Sequence, residues 1–267
     1  MRPENVSSTR AFGSSVDFGK TASDYRRFRA GFPPGFFEAL EARGWIAPAQ
    51  RALDLGTGTG TVARGLAERG LVVTATDPAT ALMEQAAILD REAGVRVRYV
   101  QGRAEAIDFS DESLDLVTAG QCWHWFDRRL AAAEAARVLV PGGRIVIAHF
   151  DWLPLPGNVV EATEDLILGV NPAWTMGGGD GIYPQWLRDL AGAGFRDIQT
   201  FSFDLDQPYT HEGWRGRIRA SAGVKASLGE VAIARFDAAL AELLARRFPE
   251  DPLTVPHRVW AVSAVRG

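Results

Sequence analysis

Two carboxylates and a run of glycines are the residues of this chain best placed to do chemistry. Leu53-Asp54-Leu55-Gly56-Thr57-Gly58-Thr59-Gly60 reads as a strand end, a loop and the opening of a helix. Such a loop presses its backbone against a ligand beside a helix N-terminus. Glycine belongs where a Cβ would strike that ligand or where φ is positive. Asp77 closes the following strand, where a carboxylate can accept both hydroxyls of a ribose. Glycine spacing alone leaves the ligand open, because Gly58-Thr-Gly60-Thr-Val-Ala63 also fits the loose dinucleotide pattern. Asp54 favours the other class: an acidic side chain at the loop can reach a cationic amine and repels a pyrophosphate. A phosphate loop at Gly19-Lys20-Thr21 fails, since Ser14 stands where its first glycine should be.

A second group follows the fourth strand of the pattern, in Gly120-Gln121-Cys122-Trp123-His124-Trp125-Phe126-Asp127. His124 has two readings, a general base near neutral pH or a ring that only holds its loop. Trp123, Trp125 and Phe126 either shape a channel with their π faces or pack, and packing is expected for at least one. Cys122 reads as an inert core residue. Arg215, Arg217 and Arg219 lie on a helix whose geometry puts Arg215 and Arg219 on one face and turns Arg217 elsewhere. They form either a solvated face or a clamp for an anion. His149, His211 and His257 lack ligand-like spacing, so no metal is expected.

The elements that hold these residues alternate. Strands are predicted at 51–55, 71–76, 95–100, 114–119, 144–150, 196–203 and 259–265, with helices at 36–45, 62–69, 79–92, 128–139 and 185–191. A further helix is read from Ser23, a turn at Pro141-Gly142-Gly143, and a helical excursion over 212–247. Alternation of this kind makes a parallel sheet. Residues 1–22 read as a mobile tail, 23–150 as the ligand-binding core, and 151–267 as the rest of the sheet with lid insertions at 151–182 and 204–250, all in one structural domain.

Composition narrows the partners. The 267 residues carry 29 Lys+Arg against 33 Asp+Glu, a net charge of −4, with no basic block, which argues against nucleic acid and for a small molecule. One cysteine cannot form an internal disulfide or a thiolate cluster, so a cytoplasmic protein is expected. No apolar run reaches the roughly 20 residues that span a bilayer, and the N-terminus lacks a signal-peptide core. A monomer or a homodimer is expected.

From Tyr25 to Asp127 the chain resembles the class I S-adenosylmethionine-dependent methyltransferases, in particular the small-molecule group like the trans-aconitate methyltransferases. The resemblance is carried by Tyr25-Arg-Arg-Phe-Arg29-Ala-Gly-Phe-Pro33, the Asp54–Gly60 loop, Asp77-Pro78, Ala104-Glu105, Ser113-Leu-Asp115-Leu-Val117 and His124-Trp-Phe-Asp127. Trp214 to Val224 looks familial too. It implies a Rossmann-like α/β fold: seven strands, mostly parallel, with an antiparallel last hairpin, helices on both faces and a helical lid. It further implies that Gly56, Thr57 and Gly58 meet the methionine moiety of S-adenosylmethionine, that Asp54 orients its ammonium indirectly and that Asp77 and Pro78 lie at the ribose. Ala104 and Glu105 fall at the adenine, although Arg103 stands where many relatives carry an acid. Gly120 and Gln121 face the methionine end, Arg29 pairs with its carboxylate and Tyr25 belongs to a segment that closes over it. His124 is the catalytic candidate, and Trp123, Trp125, Arg217 and Arg219 are candidates for the acceptor. Methyl transfer to an oxygen of a small molecule leads. Cyclisation of the cofactor's aminobutyryl chain and cofactor binding without turnover stay open.

Overall fold

Arg51–Leu55 (β1) buries four consecutive residues, the pattern of a strand covered on both faces. It pairs in parallel with Val72–Asp77 (β2) on one side and with Leu114–Gly120 (β4) on the other, and Arg98–Gln101 (β3) extends the sheet beyond β2. The structure, a computed structural model, describes residues 31–221, 223–224 and 228–267. Leu139–Trp152 (β5), Arg196–Tyr209 (β6) and Leu253–Val265 (β7) complete seven strands in the order β3-β2-β1-β4-β5-β7-β6. β5 runs parallel to β4. β7 runs against β5, since Gly142 and Gly143 bond to Arg266 at one end while Leu153 bonds to Pro256 at the other.

The helices follow from the crossovers. Pro34–Ala42 (α1) precedes the sheet, Thr61–Glu68 (α2) links β1 to β2, Thr80–Ala93 (α3) links β2 to β3, and Arg128–Val138 (α4) links β4 to β5. Steps from β1 to β3 go one way along the sheet and the step from β4 to β5 goes the other. Right-handed crossovers therefore put α2 and α3 on one face and α4 on the opposite face. The order reverses between β1 and β4, and the crevice beyond their carboxyl ends is where open α/β sheets take ligands. Gly94, left-handed at φ 71°, ends α3, and the Asp127 carboxylate caps α4 by accepting from Leu130 N–H at 3.1 Å.

Two compact units emerge from the described residues. The larger holds residues 31–150, 183–203 and 259–267, including Gln185–Gly192 (α6). Its core is built on Leu53, Leu55, Val117, Ala132, Val138, Ile145 and Ile147, with Trp123 and Trp186 fully buried among them. The smaller is drawn from residues 151–182 and 204–258. It contains Val159–Val170 (α5), capped by Asn158, then His211–Arg219 (α7), capped by Thr210, and Glu230–Arg247 (α8). Trp214 is fully buried there, and its indole N–H donates to Thr163 Oγ1 at 3.1 Å.

Three expectations are corrected. Pro141-Gly142-Gly143 lies inside β5 instead of ending a helix before it, because Gly142 N–H and Gly143 C=O find partners in Arg266. β6 and β7 extend beyond the predicted 196–203 and 259–265, since an alternating pattern continues through polar residues that a hydrophobicity reading discards. α5 occupies a stretch read as irregular: the prolines and glycines flank it, and Asn158 accepts from Glu161 N–H at 2.9 Å to start it. The helix read from Ser23 lies outside the described residues.

Candidate active site

β1 delivers Asp54 to the end of the sheet with only 1% of its surface exposed. Parallel register sets Thr118 of β4 beside it, and the Thr118 hydroxyl donates to Asp54 Oδ1 at 2.6 Å. Burial pushes the Asp54 carboxyl up to about 6, although this hydroxyl favours the charged form. The chain then turns through Gly56, Gly58 and Gly60 at φ 59°, 56° and 75°, conformations that L side chains rarely adopt. A Cβ on Gly56 would lie 2.9 Å from Cys122 Cβ and 3.0 Å from Phe126 Cζ. The missing side chain at Gly56 thus makes room for the segment after β4, a use the sequence reading did not assign. Thr57 N–H donates to Thr76 C=O at 3.0 Å, tying the loop to β2.

β2 ends in Asp77, whose Oδ2 accepts from Gly58 N–H at 2.9 Å and whose Oδ1 accepts from Ala79 N–H at 2.8 Å. Burial raises its carboxyl above the ordinary aspartate value, and the two amides act in the opposite direction. Each oxygen keeps a lone pair, so the carboxylate is held in place and can still accept hydroxyls. Pro78 C=O is fixed by the Gln101 side-chain amide at 3.1 Å. Ala104 is buried, while Glu105 Oε1 accepts from Asp127 N–H at 3.0 Å and Oε2 faces the exposed Arg103 at 3.5 Å.

Past β4, Gly120 allows close packing: its Cβ would fall 2.5 Å from Val62 Cγ2 and 3.0 Å from Phe32 Cε2. Gln121 adopts φ 61°, its N–H donates to Ala148 C=O at 2.9 Å, and its side-chain amide donates to Phe150 C=O. The Cys122 thiol donates to Leu55 C=O at 3.1 Å. A single turn of 3-10 helix, Trp123–Trp125, follows. Trp123 is fully buried, and its indole N–H donates to Asp189 at 3.1 Å, so this ring packs in the core. Trp125 is half-buried against His124 with ring centroids 4.7 Å apart. His124 in turn lies 5.4 Å from the ring of His149, which sits 4.2 Å from Tyr183 and 4.4 Å from Trp186. The sequence reading missed this cluster. Its members come from a turn, a strand and a helix approach separated along the chain, and no local spacing links them.

In the smaller unit Arg219 is engaged by Asp237 at 2.6 Å and Glu212 at 3.0 Å, and Arg215 shares both carboxylates. These ion pairs join α7 to α8. Arg217 points elsewhere, 4.7 Å above the ring of Trp152. Burial lowers the His257 imidazole to about 4, helped by the positive charge of Arg217. Tyr25 and Arg29 lie outside the described residues. Among the described residues no His, Cys, Asp and Glu group could hold a metal, and no helix is long and apolar enough to cross a membrane.

Residues 53–147 match the family described as a methyltransferase domain. An uncharacterized methyltransferase of Mycobacterium tuberculosis is 41% identical over 159 residues, which are 57% of this chain and 61% of that protein. An uncharacterized methyltransferase of Schizosaccharomyces pombe is 32% identical over 198 residues, 73% of this chain and 74% of that one. The structure of a candidate type II methyltransferase from Anaeromyxobacter dehalogenans superposes with a TM-score of 0.62 at 26% identity, over 89% of this chain and 98% of that one. The fold is the Rossmann-like α/β fold of methyltransferases. This chain belongs to the methyltransferase family, and it spans about 61% of the length of the mycobacterial relatives it matches.

Proposed function

We propose that the protein is an S-adenosylmethionine-dependent methyltransferase that modifies an oxygen, carboxylate or hydroxyl, of a small molecule. The observation that carries this reading is the pair of fixed carboxylates flanking the loop. Asp54 lies one residue before the end of β1, beside the point where strand order reverses, Asp77 ends the adjacent parallel strand β2, and Gly58 N–H is bonded to Asp77 between them. A left-handed glycine cradle with one carboxylate beside each end suits a ligand that has a ribose at one side and a cationic amino acid at the other.

In this reading Asp77 accepts the ribose hydroxyls with its remaining lone pairs, next to Pro78. The backbone of Gly56, Thr57 and Gly58 lines the methionine moiety. Asp54 supplies a negative potential toward the ammonium, acting through the loop and Thr118. Ala104 and the neighbouring backbone take the adenine, since Glu105 is engaged by Asp127. Gly120 and Gln121 belong to the methionine end, with Tyr25 and Arg29 proposed on the family resemblance. When bound, S-adenosylmethionine supplies a methyl group already activated on a sulfonium, so the chain's task is to align donor and acceptor and keep water out. His124 would take the proton of a hydroxyl acceptor, whereas a carboxylate acceptor needs no base. Trp123 and Trp125 in the larger unit, and Arg217 and Arg219 in the smaller, are the acceptor candidates proposed on the family resemblance.

Incubation with isotopically labelled S-adenosylmethionine and fractionated cell extract, followed by mass spectrometry, tests this. S-adenosylhomocysteine together with a labelled small molecule is the expected outcome. Methylthioadenosine would mean cyclisation of the side chain, and binding without any product would mean a non-catalytic subunit; either overturns the reading.

A further inference from the structure

The glycine loop is braced from behind by a buried network that the sequence motifs do not include in the site. Asp90 lies on the last turns of α3 and is only 3% exposed. Its Oδ1 accepts from Arg64 Nη1 at 2.8 Å and its Oδ2 accepts from the Tyr99 hydroxyl at 2.7 Å. Both partners continue to the loop. Arg64, in the second turn of α2, donates from Nη2 to Thr59 C=O at 3.0 Å. The Tyr99 hydroxyl, on β3, stands 2.5 Å from where a Cβ on Gly60 would be, so Gly60 owes its lack of a side chain to Tyr99. One carboxylate therefore anchors both groups that press on residues 59 and 60, where the loop turns left-handed into α2.

We propose that Asp90 is a positioning residue for cofactor binding: through Arg64 and Tyr99 it holds the Thr59–Gly60 corner of the loop in its binding conformation. This rests on the loop being the S-adenosylmethionine site. The chemistry of the network is that of a fixed buttress. Arg64 donates from both Nη1 and Nη2 within the network, its side chain is 15% exposed, and Asp90 is its only described ion-pair partner. The Tyr99 hydroxyl is pushed well above its ordinary value by burial and by Asp90, so it stays a donor. Removing the carboxylate leaves a half-buried guanidinium and a phenol without their shared acceptor, and the corner loses both braces. Asp90 is too far along the chain from the loop to be recognised by spacing, and both its carboxylate oxygens are directed to Arg64 and Tyr99. Its effect belongs on affinity for the cofactor.

The test is calorimetric titration of the full chain with S-adenosylhomocysteine, well below the melting temperature, with hydrogen exchange read at residues 57–61. Asp90→Asn is expected to raise Kd about tenfold and to increase exchange at the loop, with strands β4 and β5 unchanged. Asp90→Glu is expected to recover part of the loss. Tyr99→Phe, which removes one hydroxyl and leaves the core intact, should show a smaller loss in the same direction, and it decides the matter if Asp90→Asn does not fold. Wild-type Kd and wild-type loop exchange in Asp90→Asn, or in Tyr99→Phe if that is the variant that folds, would overturn the proposal while leaving the cofactor site in place. Failure of the wild-type chain itself to bind S-adenosylhomocysteine would overturn the proposed function and this inference together.

Discussion

Glu105 accepts the backbone N–H of Asp127 through Oε1 at 3.0 Å, which ties the turn after β3 to the turn that carries His124. Two segments that sequence motifs place at opposite ends of a bound cofactor are thus one hydrogen bond apart. Glu105→Gln keeps an acceptor oxygen in the same place and should bind S-adenosylhomocysteine within about threefold of wild type. Glu105→Ala leaves Asp127 N–H without its acceptor, costing about 1–3 kcal/mol of stability and loosening the turn that holds His124. Melting curves and titrations of the two variants check the contrast, and equal behaviour would remove Glu105 from any linking role.

Gly56 offers a sharper steric test. Alanine there would need both a left-handed backbone and space that Cys122 and Phe126 already fill. Gly56→Ala is expected to destabilise the protein by about 1–3 kcal/mol and to abolish measurable cofactor binding. The double variant Gly56→Ala with Phe126→Leu should regain part of the stability by vacating one contact. No recovery would show that backbone strain, and not the pressure of Phe126, dominates.

The pH dependence of stability carries the signature of Asp54. Its carboxyl titrates at about 6 in the folded protein against 3.8 ordinarily. The folded state therefore holds this proton more tightly than the unfolded chain does. The resulting stabilisation is complete below pH 3.8 and is lost as pH rises through about 6, a change of about 3 kcal/mol for one fully buried group. Asp54→Asn should flatten the stability profile between pH 4 and 6 and raise stability at pH 7. Binding of cationic S-adenosylmethionine at pH 6 should release a proton, because the ligand's charge favours the carboxylate. Calorimetry in buffers of differing ionisation enthalpy measures this, and zero release would place Asp54 beyond electrostatic reach of the ligand.

His124 is tested through rate and pH together. With an acceptor whose oxygen carries a proton, His124→Ala should lower the rate about 10²–10⁴-fold, and wild-type activity should rise with pH through the neutral range. Cofactor affinity should stay within about threefold, since the loop contacts lie elsewhere. A carboxylate acceptor should give a rate independent of pH. Full activity of His124→Asn on a hydroxyl acceptor would assign the ring to structure alone.

The sequence by itself determined how the two carboxylates and the glycine loop are grouped. Asp54, the glycine loop and Asp77 lie within one βαβ unit, where chain connectivity and parallel pairing force the ends of β1 and β2 together, so local order is enough to place them. The strand alternation was legible for the same reason. Only the tertiary structure decided what surrounds that group. Trp123 and Trp125 are equivalent in sequence, yet one is sealed against Asp189 and the other is half-buried beside His124. Arg219 pairs with Asp237, a partner 18 residues away on another helix. His149 reached His124 because β4 and β5 are neighbours in the sheet, and Asp90 reached the loop because α2, α3 and β3 converge behind it. Contacts of this kind depend on how elements pack, and packing is set by the whole core and not by the spacing of residues along one segment.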